Sequence, residues 1–274
     1  MRFARVCLIL AFLAPVSPGR AESVTWMVSD PTYADTKETM SSGQLAFLTG
    51  HLPDFSHHTV KVSASRAVHE LQHGSAVCTT DVLVTPEREQ YLVFARRRME
   101  LPGFRLMIRE DRLGVLAPAI NGSGNVDLAK LQEIPNLSGG YTNSRHYGHA
   151  ISEFIQRRGS EGLDGEVATF QLFNLLAAGR IDFAFVMPMD FYFYLSEGQR
   201  RQTTLLPVMG ETPVTAVTVA CSADPIGRDV IHAIDMLLTN DAHWAEYIEP
   251  LRKWVAPEDF DALRTSGSNV NGVP

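Results

Sequence analysis

Arg88 is the residue whose surroundings point most directly to chemistry. It lies in the segment TPEREQYLVF, which covers positions 85–94. A planar guanidinium can donate two parallel hydrogen bonds to a carboxylate, so Arg88 is a candidate for gripping an acidic ligand. The alternative is a surface salt bridge with Glu87 or Glu89, a common arrangement for an arginine among acids. The context of the segment favours ligand binding.

Metal and cofactor chemistry have little support in the sequence. Nine histidines are present, but no HExxH pattern and no CxxC or Cys/His zinc spacing occurs. The stretch Gly122-Ser123-Gly124 lacks the lysine of a phosphate loop and is typical of a turn. The chain also has no GxSxG nucleophile elbow. We therefore expect no metal, no cofactor and no catalytic residue.

Strands and helices alternate along the chain, and these elements must position Arg88. Runs of apolar and β-branched residues predict strands, and apolar residues at helical spacing predict helices. The predicted strands are 24–28, 59–62, 76–78, 91–95, 104–108, 181–186 and 214–220. The predicted helices are 41–52, 65–73, 127–132, 144–157 with Ser144 as its cap, 169–178, 227–238 and 244–254. Alternation of this kind indicates an α/β fold with mainly parallel sheets.

The overall composition bounds the class of protein. The chain has 274 residues, of which 45% are hydrophobic and 20% are charged, and this is ordinary globular composition. Enough apolar surface is available to build a core, so we do not expect disorder. The formal net charge of −7 and the isoelectric point of about 5.7 disfavour nucleic acid as a partner, because nucleic-acid proteins normally carry a basic patch.

The first 21 residues have the order of a secretory signal. Arg2 and Arg5 form a basic start, positions 6–16 form an apolar run, and Ala21 offers the small residue that signal peptidase needs. The apolar run is shorter than the ~20 residues that span a bilayer, although an N-terminal anchor is the alternative. We therefore expect residues 1–21 to be removed and the rest to be secreted, into the periplasm of a Gram-negative host.

Two cysteines, Cys78 and Cys221, remain after residues 1–21 are removed. Thiols in an oxidising compartment can pair, but sequence alone does not show whether two cysteines meet. Each follows an apolar run, so two buried free cysteines are an equally good interpretation.

The segment around Arg88 resembles the T-x-E-R-x-x-x-x-x-F segment of extracellular solute-binding protein family 3, a group of type II periplasmic binding proteins. Two further stretches are similar to motifs of that family. DPTYA at 30–34 is similar to D-x-x-Y-x-P, although Asp35 stands where the family often has proline, and LAAGRID at 176–182 is similar to L-x-x-G-R-x-D. The resemblance runs from about Val24 to Phe260 and is strongest to a periplasmic subgroup.

The resemblance implies a set of ligand-binding residues. In the family, the arginine grips the ligand's carboxylate and the aromatic residue of the first motif stacks on the ligand. Hydroxyls and free backbone N–H groups at the start of a second-lobe helix complete the carboxylate site, and a helix N-terminus suits an anion. The implied ligand-binding residues are Arg88, Tyr33, Thr80, Leu83, Ser144, Arg145 and Met187.

Met187 is a departure from the family pattern. Amino-acid binders of the family usually have an acid at this position, where it holds the ligand's ammonium group. Asp190 is close in sequence but follows Pro188 and is out of register. A buried ammonium without a counter-charge is costly, so the sequence does not establish an α-amino acid as the ligand.

The resemblance also implies an architecture. We expect a two-lobed α/β fold of type II periplasmic-binding-protein type, with a ligand cleft between lobes that each contain a mainly parallel sheet. Residues 1–21 would be the signal peptide, 22–105 the first part of lobe one, 106–216 lobe two, and 217–274 the C-terminal part of lobe one. The chain would cross between lobes near 104–107 and 215–219.

The expected function is reversible capture of a small polar solute, most simply an amino-acid-like carboxylate, by hinge closure. Its partners would be that solute and a membrane permease of ABC type, and the protein would be a monomer without nucleic acid. The alternatives are a receptor-docking sensor subunit or an enzyme on the same fold that resembles cyclohexadienyl dehydratase. An enzyme needs an acid or base of shifted pKa, for which the candidates are Asp81, Glu153 and Asp190.

Overall fold

Two β-sheets with helices around them form the protein in the computed structural model. The structure describes residues 21–28, 40–142, 145–158 and 169–266. Residues 1–20 of the expected signal peptide lie outside these ranges, as do Tyr33 and Ser144 of the expected ligand-binding set.

The larger sheet has the strand order β2-β1-β3-β10-β4, and β5 also pairs with β10. Its strands are β1 (Glu22–Val28), β2 (Phe55–Lys61), β3 (Val77–Leu83), β4 (Leu92–Phe94), β5 (Met99–Pro102) and β10 (Val214–Ser222). Strand β1 is parallel to both β2 and β3, whereas β10 is antiparallel to its three neighbours.

The smaller sheet has the strand order β7-β8-β6-β9. Its strands are β6 (Arg105–Arg109), β7 (Gly139–Gly140), β8 (Phe183–Val186) and β9 (Thr203–Pro207). Strands β7 and β8 are parallel, and β6 is antiparallel to β8 and β9.

The sheets are mixed, so the prediction of mainly parallel sheets was wrong in this detail. The reason is the passage of the chain between the sheets. Strand β9 runs toward the crossing and β6 runs away from it, so these neighbours must oppose each other. Strand β10 enters the larger sheet from the same crossing and runs against β3.

The helices follow the apolar spacing of the sequence. They are α1 (Met40–His51), α2 (Ala64–His73), α3 (Leu128–Glu133), α4 (His149–Arg158), α5 (Thr169–Ala177), α6 (Pro188–Tyr194), α7 (Glu197–Arg200), α8 (Pro225–Leu238), α9 (Asp241–Ile248) and α10 (Pro257–Ser266). Three 3₁₀ segments are Arg88–Gln90, Glu110–Ala119 and Glu249–Lys253.

Helix α8 shows how the sequence sets a helix and its position. The Asp224 carboxylate accepts the N–H of Gly227 at 3.0 Å, and Pro225 occupies the first turn, where its missing N–H costs nothing. The helix buries Val230 and Ile234 completely. The same carboxylate accepts the N–H of Ala76 at 2.8 Å, which joins the start of α8 to the turn before β3.

Two crossings join the sheets. The chain leaves the larger sheet after Pro102 and enters the smaller sheet at Arg105, near the predicted crossing. It returns to the larger sheet between Pro207 and Val214, and the residues of the predicted second crossing, 215–219, lie in β10. The two crossings touch, since the N–H of Gly103 donates to the Pro213 carbonyl at 2.8 Å.

Cys78 and Cys221 form a disulfide. They lie opposite each other on β3 and β10, and both are fully buried. The bond therefore joins two strands of one sheet that are 143 residues apart in sequence.

Candidate functional site

The larger sheet contains a topological switch point. The chain goes from β1 to β2 on one side, and β3 then pairs with the other side of β1. In open α/β sheets, ligands bind in the crevice outside the carboxyl ends of the strands at such a point. The carboxyl end of β3 carries Thr80, Asp81 and Leu83, and the next residues lead to Arg88.

Asp81 is held by two hydroxyl groups. Its carboxylate accepts a hydrogen bond from Ser41 Oγ at 2.9 Å and one from Thr79 Oγ1 at 3.1 Å. Ser41 lies in the first turn of α1, so the carboxylate sits beside the helix end that favours negative charge. The side chain of Asp81 is partly buried.

Thr80 is almost completely buried, and its backbone carbonyl accepts a hydrogen bond from a tyrosine. The hydroxyl of Tyr247 donates to the Thr80 carbonyl at 3.5 Å. Burial raises the pKa of the Tyr247 phenol far above its usual value, and the negative charge of Asp81 raises it further. Tyr247 is therefore a neutral hydrogen-bond donor to the backbone of β3.

Arg88 lies at the start of a 3₁₀ segment, and its position is fixed locally. Its backbone N–H donates to Thr85 Oγ1 at 3.3 Å, and its guanidinium donates to the Leu83 carbonyl at 3.1 Å. The side chain is partly exposed, and within the described ranges no ion pair joins it to Glu87 or Glu89. The structure thus brings Arg88 and Leu83 together and leaves further guanidinium donors available.

Arg145 lies on the side of the smaller sheet, where it forms an ion pair with Asp190 at 2.7 Å. The two side chains are 21% and 16% exposed, and the guanidinium also stacks on the ring of Phe104 in the first crossing. Burial acts to lower the pKa of Arg145, but the charge and hydrogen bond of Asp190, together with Tyr147 and Tyr194, outweigh this effect and raise it. The pair is thus internally neutralised beside the crossing.

Helix α4 begins at His149, so the predicted start at Ser144 was wrong. The described residues just before it, 145–148, are not helical, and the buried hydroxyl of Tyr147 accepts the N–H of Thr142. The N-terminus of α4 already has an anion, since the Glu211 carboxylate accepts the N–H of Ile151 at 2.7 Å. Glu211 belongs to the second crossing, and no sequence motif pointed to it.

Met187 replaces the usual acid with a buried apolar side chain. Only 4% of it is exposed, and it packs into the main core. Its backbone N–H donates to the Asp190 carboxylate at 3.2 Å at the start of α6. Among the expected residues, Met187 and Arg145 are thus brought together through Asp190.

An aromatic contact joins a helix that follows the smaller sheet to a segment that packs beside the larger sheet. The ring of Phe193, on the helix after β8, packs edge-on against Trp254 with centroids 4.6 Å apart. Trp254 ends the 3₁₀ segment 249–253, which packs on α1 of the larger-sheet side.

Several histidines contact backbone carbonyls or aromatic rings. His69 and His73 stack with centroids 4.5 Å apart, and His51 and His243 each contact a backbone carbonyl. Among the residues that the structure describes, no group of three or more metal-ligating side chains occurs.

No protein-family model and no curated protein sequence matches the chain. Solved structures match well. One is ArgBP from T. maritima, in a mutant form, with a TM-score of 0.62 at 12% identity over 85% of this chain and 94% of that chain. The fold is that of the type II periplasmic binding proteins.

Two further structures share this fold. An amino acid ABC transporter substrate-binding protein from Streptococcus pneumoniae, bound to L-arginine, gives a TM-score of 0.59 at 14% identity, covering 89% of this chain and 94% of that chain. A histidine kinase sensor domain with similarity to periplasmic binding proteins gives 0.57 at 14% identity, covering 91% and 96%. The predicted two-lobed α/β fold is therefore confirmed.

The three structures include an amino acid ABC transporter substrate-binding protein and a histidine kinase sensor domain. The S. pneumoniae protein was solved with L-arginine bound. No helix within the described ranges is long and apolar enough to cross a membrane.

Proposed function

We propose that this protein is a secreted solute-binding protein that captures a small, carboxylate-bearing solute between its lobes for an ABC-type transporter. Removal of residues 1–21 would release it into the periplasm. The observation that carries the proposal is Arg88, which offers a partly exposed guanidinium without an acidic partner in the described ranges, at the end of β3. The lobe boundaries at 105/106 and 216/217 stay a prediction.

The geometry of Arg88 supports a role in anion binding. One guanidinium nitrogen donates to the Leu83 carbonyl, which fixes the orientation of the group without neutralising it. A guanidinium held in this way can donate bidentate hydrogen bonds to a carboxylate. Tyr33 and Ser144, which the family resemblance adds to the site, stay part of the proposal.

The two crossings support hinge closure. Arg105 donates to the carbonyls of Gly103, Phe104 and Pro213, so one side chain ties both crossings together. Burial lowers the pKa of Arg105, and the charge of Asp259 partly offsets this. Short, tied crossings let two lobes rotate as rigid bodies about one axis.

The enzyme alternative gains little from the candidate acids. Glu153 forms an exposed ion pair with Arg157, and Asp190 is paired with Arg145. A sensor role has one supporting observation, which is the likeness to a histidine kinase sensor domain. Co-purification with a receptor, and not with a permease, would favour it.

Thermal unfolding with a panel of solutes tests the proposal. The panel contains amino acids, di- and tricarboxylates, polyamines, short peptides and prephenate, and it is applied to the wild type and to Arg88→Ala. A ligand at 100 times its Kd adds ~2.7 kcal/mol of stability. We expect a carboxylate to raise the Tm of the wild type and not that of Arg88→Ala.

Arg98→Ala is the matched control, because Arg98 is an exposed arginine on the turn before β5. It should respond to the solute like the wild type. A folded wild type that responds to no solute in the panel, or equal responses of Arg88→Ala and the wild type, would assign Arg88 a structural role and remove the proposal. Turnover of prephenate would instead support the enzyme alternative.

A further inference from the structure

Two imidazole rings meet on the larger-sheet side of the molecule. His51 is the last residue of α1, and His243 lies in the first turn of α9. Their ring centroids are 5.3 Å apart, and their planes are inclined by 54°. The two residues are 192 positions apart in sequence, so no spacing motif relates them. The folded chain thus builds a histidine pair that the search for metal-binding patterns in the sequence missed.

The hydrogen bonds of the two histidines leave the same nitrogen free on each ring. His51 Nδ1 lies 2.8 Å from the Phe47 carbonyl, and His243 Nδ1 lies 3.1 Å from the Leu237 carbonyl. A carbonyl can only accept, so each neutral ring carries its proton on Nδ1 and keeps a lone pair on Nε2. Among the described residues, neither Nε2 atom has a hydrogen-bond partner. Histidines that bind metals almost always donate their other ring N–H in this way.

Packing holds the two rings at a separation that suits one ion. The buried ring of Phe47 contacts His51 at 4.3 Å and His243 at 6.2 Å between centroids, and it also packs on buried Tyr247 of α9. A tetrahedral ion bonded at ~2.0–2.1 Å to both Nε2 atoms would place the two ring centroids about 5 Å apart. The observed separation of 5.3 Å agrees with this geometry.

The histidine pair is open to solvent and is separate from the crevice. The His51 side chain is exposed, and that of His243 is half-buried. Ser41, the partner of Asp81, lies in the first turn of α1, whereas His51 ends the same helix, ~15 Å further along its axis. Since no group of three or more metal-ligating side chains occurs in the described ranges, water would complete the coordination of an ion here.

We propose that His51 and His243 form a binding site for a divalent transition metal ion of the class Cu²⁺, Ni²⁺ and Zn²⁺. Imidazole nitrogen suits these ions, whereas Mg²⁺ and Ca²⁺ prefer oxygen ligands. A bound ion would join the end of α1 to the start of α9 and so tie two helices of one lobe together. This inference does not depend on the proposed function.

Titration with Cu²⁺, the strongest binder of the divalent series, tests the site. The reference protein carries no affinity tag and has both His69→Gln and His73→Gln, because these exposed histidines are one turn apart on α2 and could also chelate. Calorimetry should show one bound ion, and pulsed electron paramagnetic resonance should show two imidazoles on it. His51→Gln and His243→Gln, each made in the reference protein, should bind Cu²⁺ at least about tenfold more weakly and lose one imidazole signal.

His58→Gln in the same reference protein is the control, because His58 is exposed on β2 and should leave the affinity unchanged. Cooperative unfolding without metal confirms that each variant is folded, and exposed His51→Gln decides alone if His243→Gln is not. A reference protein that binds no Cu²⁺ would overturn the inference. Equal Cu²⁺ affinity and imidazole count in the reference protein and in His51→Gln would also overturn it. Either result leaves the proposed solute binding untouched.

Discussion

At the scale of single residues, a buried polar group needs a hydrogen-bond partner, and this need fixes the position and tautomer of His57. The indole N–H of Trp26, a fully buried residue of β1, donates to His57 Nδ1 at 3.0 Å. The other ring nitrogen of His57 lies 2.9 Å from the Leu52 carbonyl. Since Nδ1 accepts and Nε2 donates, His57 is the neutral Nε2–H tautomer.

Replacement of His57 by alanine should therefore destabilise the protein by about 1–3 kcal/mol, because the buried indole N–H of Trp26 loses its acceptor. His58→Ala changes the exposed neighbour on the same strand and should change stability by less than ~0.5 kcal/mol. Urea unfolding of the two variants makes the comparison. Equal free energies of unfolding would show that the Trp26–His57 bond contributes nothing.

Gly148 is a second residue with a specific structural role, because the Glu211 side chain occupies the space where a Cβ atom would lie. A Cβ atom at this position would overlap the Glu211 carboxylate, which caps α4. Gly148→Ala should therefore displace the cap, and Glu211→Ala should remove it at a cost of about 0.5–2 kcal/mol. We expect the double variant to be no less stable than Gly148→Ala alone, as measured by urea unfolding. Additive losses would mean that the two residues act independently.

At the scale of elements, strongly periodic segments could be predicted from the sequence and short ones could not. Helices α2, α5 and α8 and strands β1 and β10 were predicted nearly in full, because their apolar spacing reports directly on burial. Strands β5 and β9 were missed. Each is short and obtains its pairing from a strand that is distant in sequence, so its local pattern carries little information.

The candidate site divides in the same way. Arg88 and the carboxyl end of β3 could be located from the sequence motif. The partners of Asp81 and Arg145 could not, because Ser41 and Asp190 lie 40 and 45 positions away and meet them only in the folded chain. The capping role of Glu211 could not be predicted from the sequence either, because the second crossing brings Glu211 to α4 only in the folded chain.

The disulfide belongs to the scale of elements because it joins β3 to β10. Cys78→Ala combined with Cys221→Ala should lower the free energy of unfolding by about 2–5 kcal/mol, since the closed loop constrains the unfolded chain. Urea unfolding of the oxidised wild type and the double variant measures this loss. Thiol labelling of the denatured, unreduced wild type is the control, and free thiols at both positions would contradict the bond.

At the scale of the whole molecule, two partly buried carboxylates couple stability to pH. Burial acts to raise the pKa of Asp182, but hydrogen bonds from Ser138 and Arg112 outweigh it and lower the pKa below its usual value. The pKa of Asp224 is also lowered, since the hydrogen bonds it accepts from Ser222 and Gly227 outweigh burial. Each group stabilises the fold fully above its unfolded pKa of ~3.9, and this stabilisation is lost as the pH falls through the folded pKa.

Asp182→Asn should therefore be less stable than the wild type at pH 7, and the difference should shrink as the pH falls below ~4. Free energies of unfolding at several pH values, with Asp229→Asn as an exposed control, provide the measurement. A difference between Asp182→Asn and the wild type that stays constant down to the most acidic pH would contradict the lowered pKa.

The central claim is that a solute is captured by closure of two lobes. Spin labels at Met236→Cys and Gly198→Cys report on it, because Met236 is exposed on the larger-sheet side and Gly198 has open space on the smaller-sheet side. The distance between the labels, measured by pulsed electron paramagnetic resonance, should change when a stabilising solute is added. It should stay the same when that solute is added to the doubly labelled Arg88→Ala variant. An unchanged distance in labelled protein that demonstrably binds the solute would contradict capture by hinge closure.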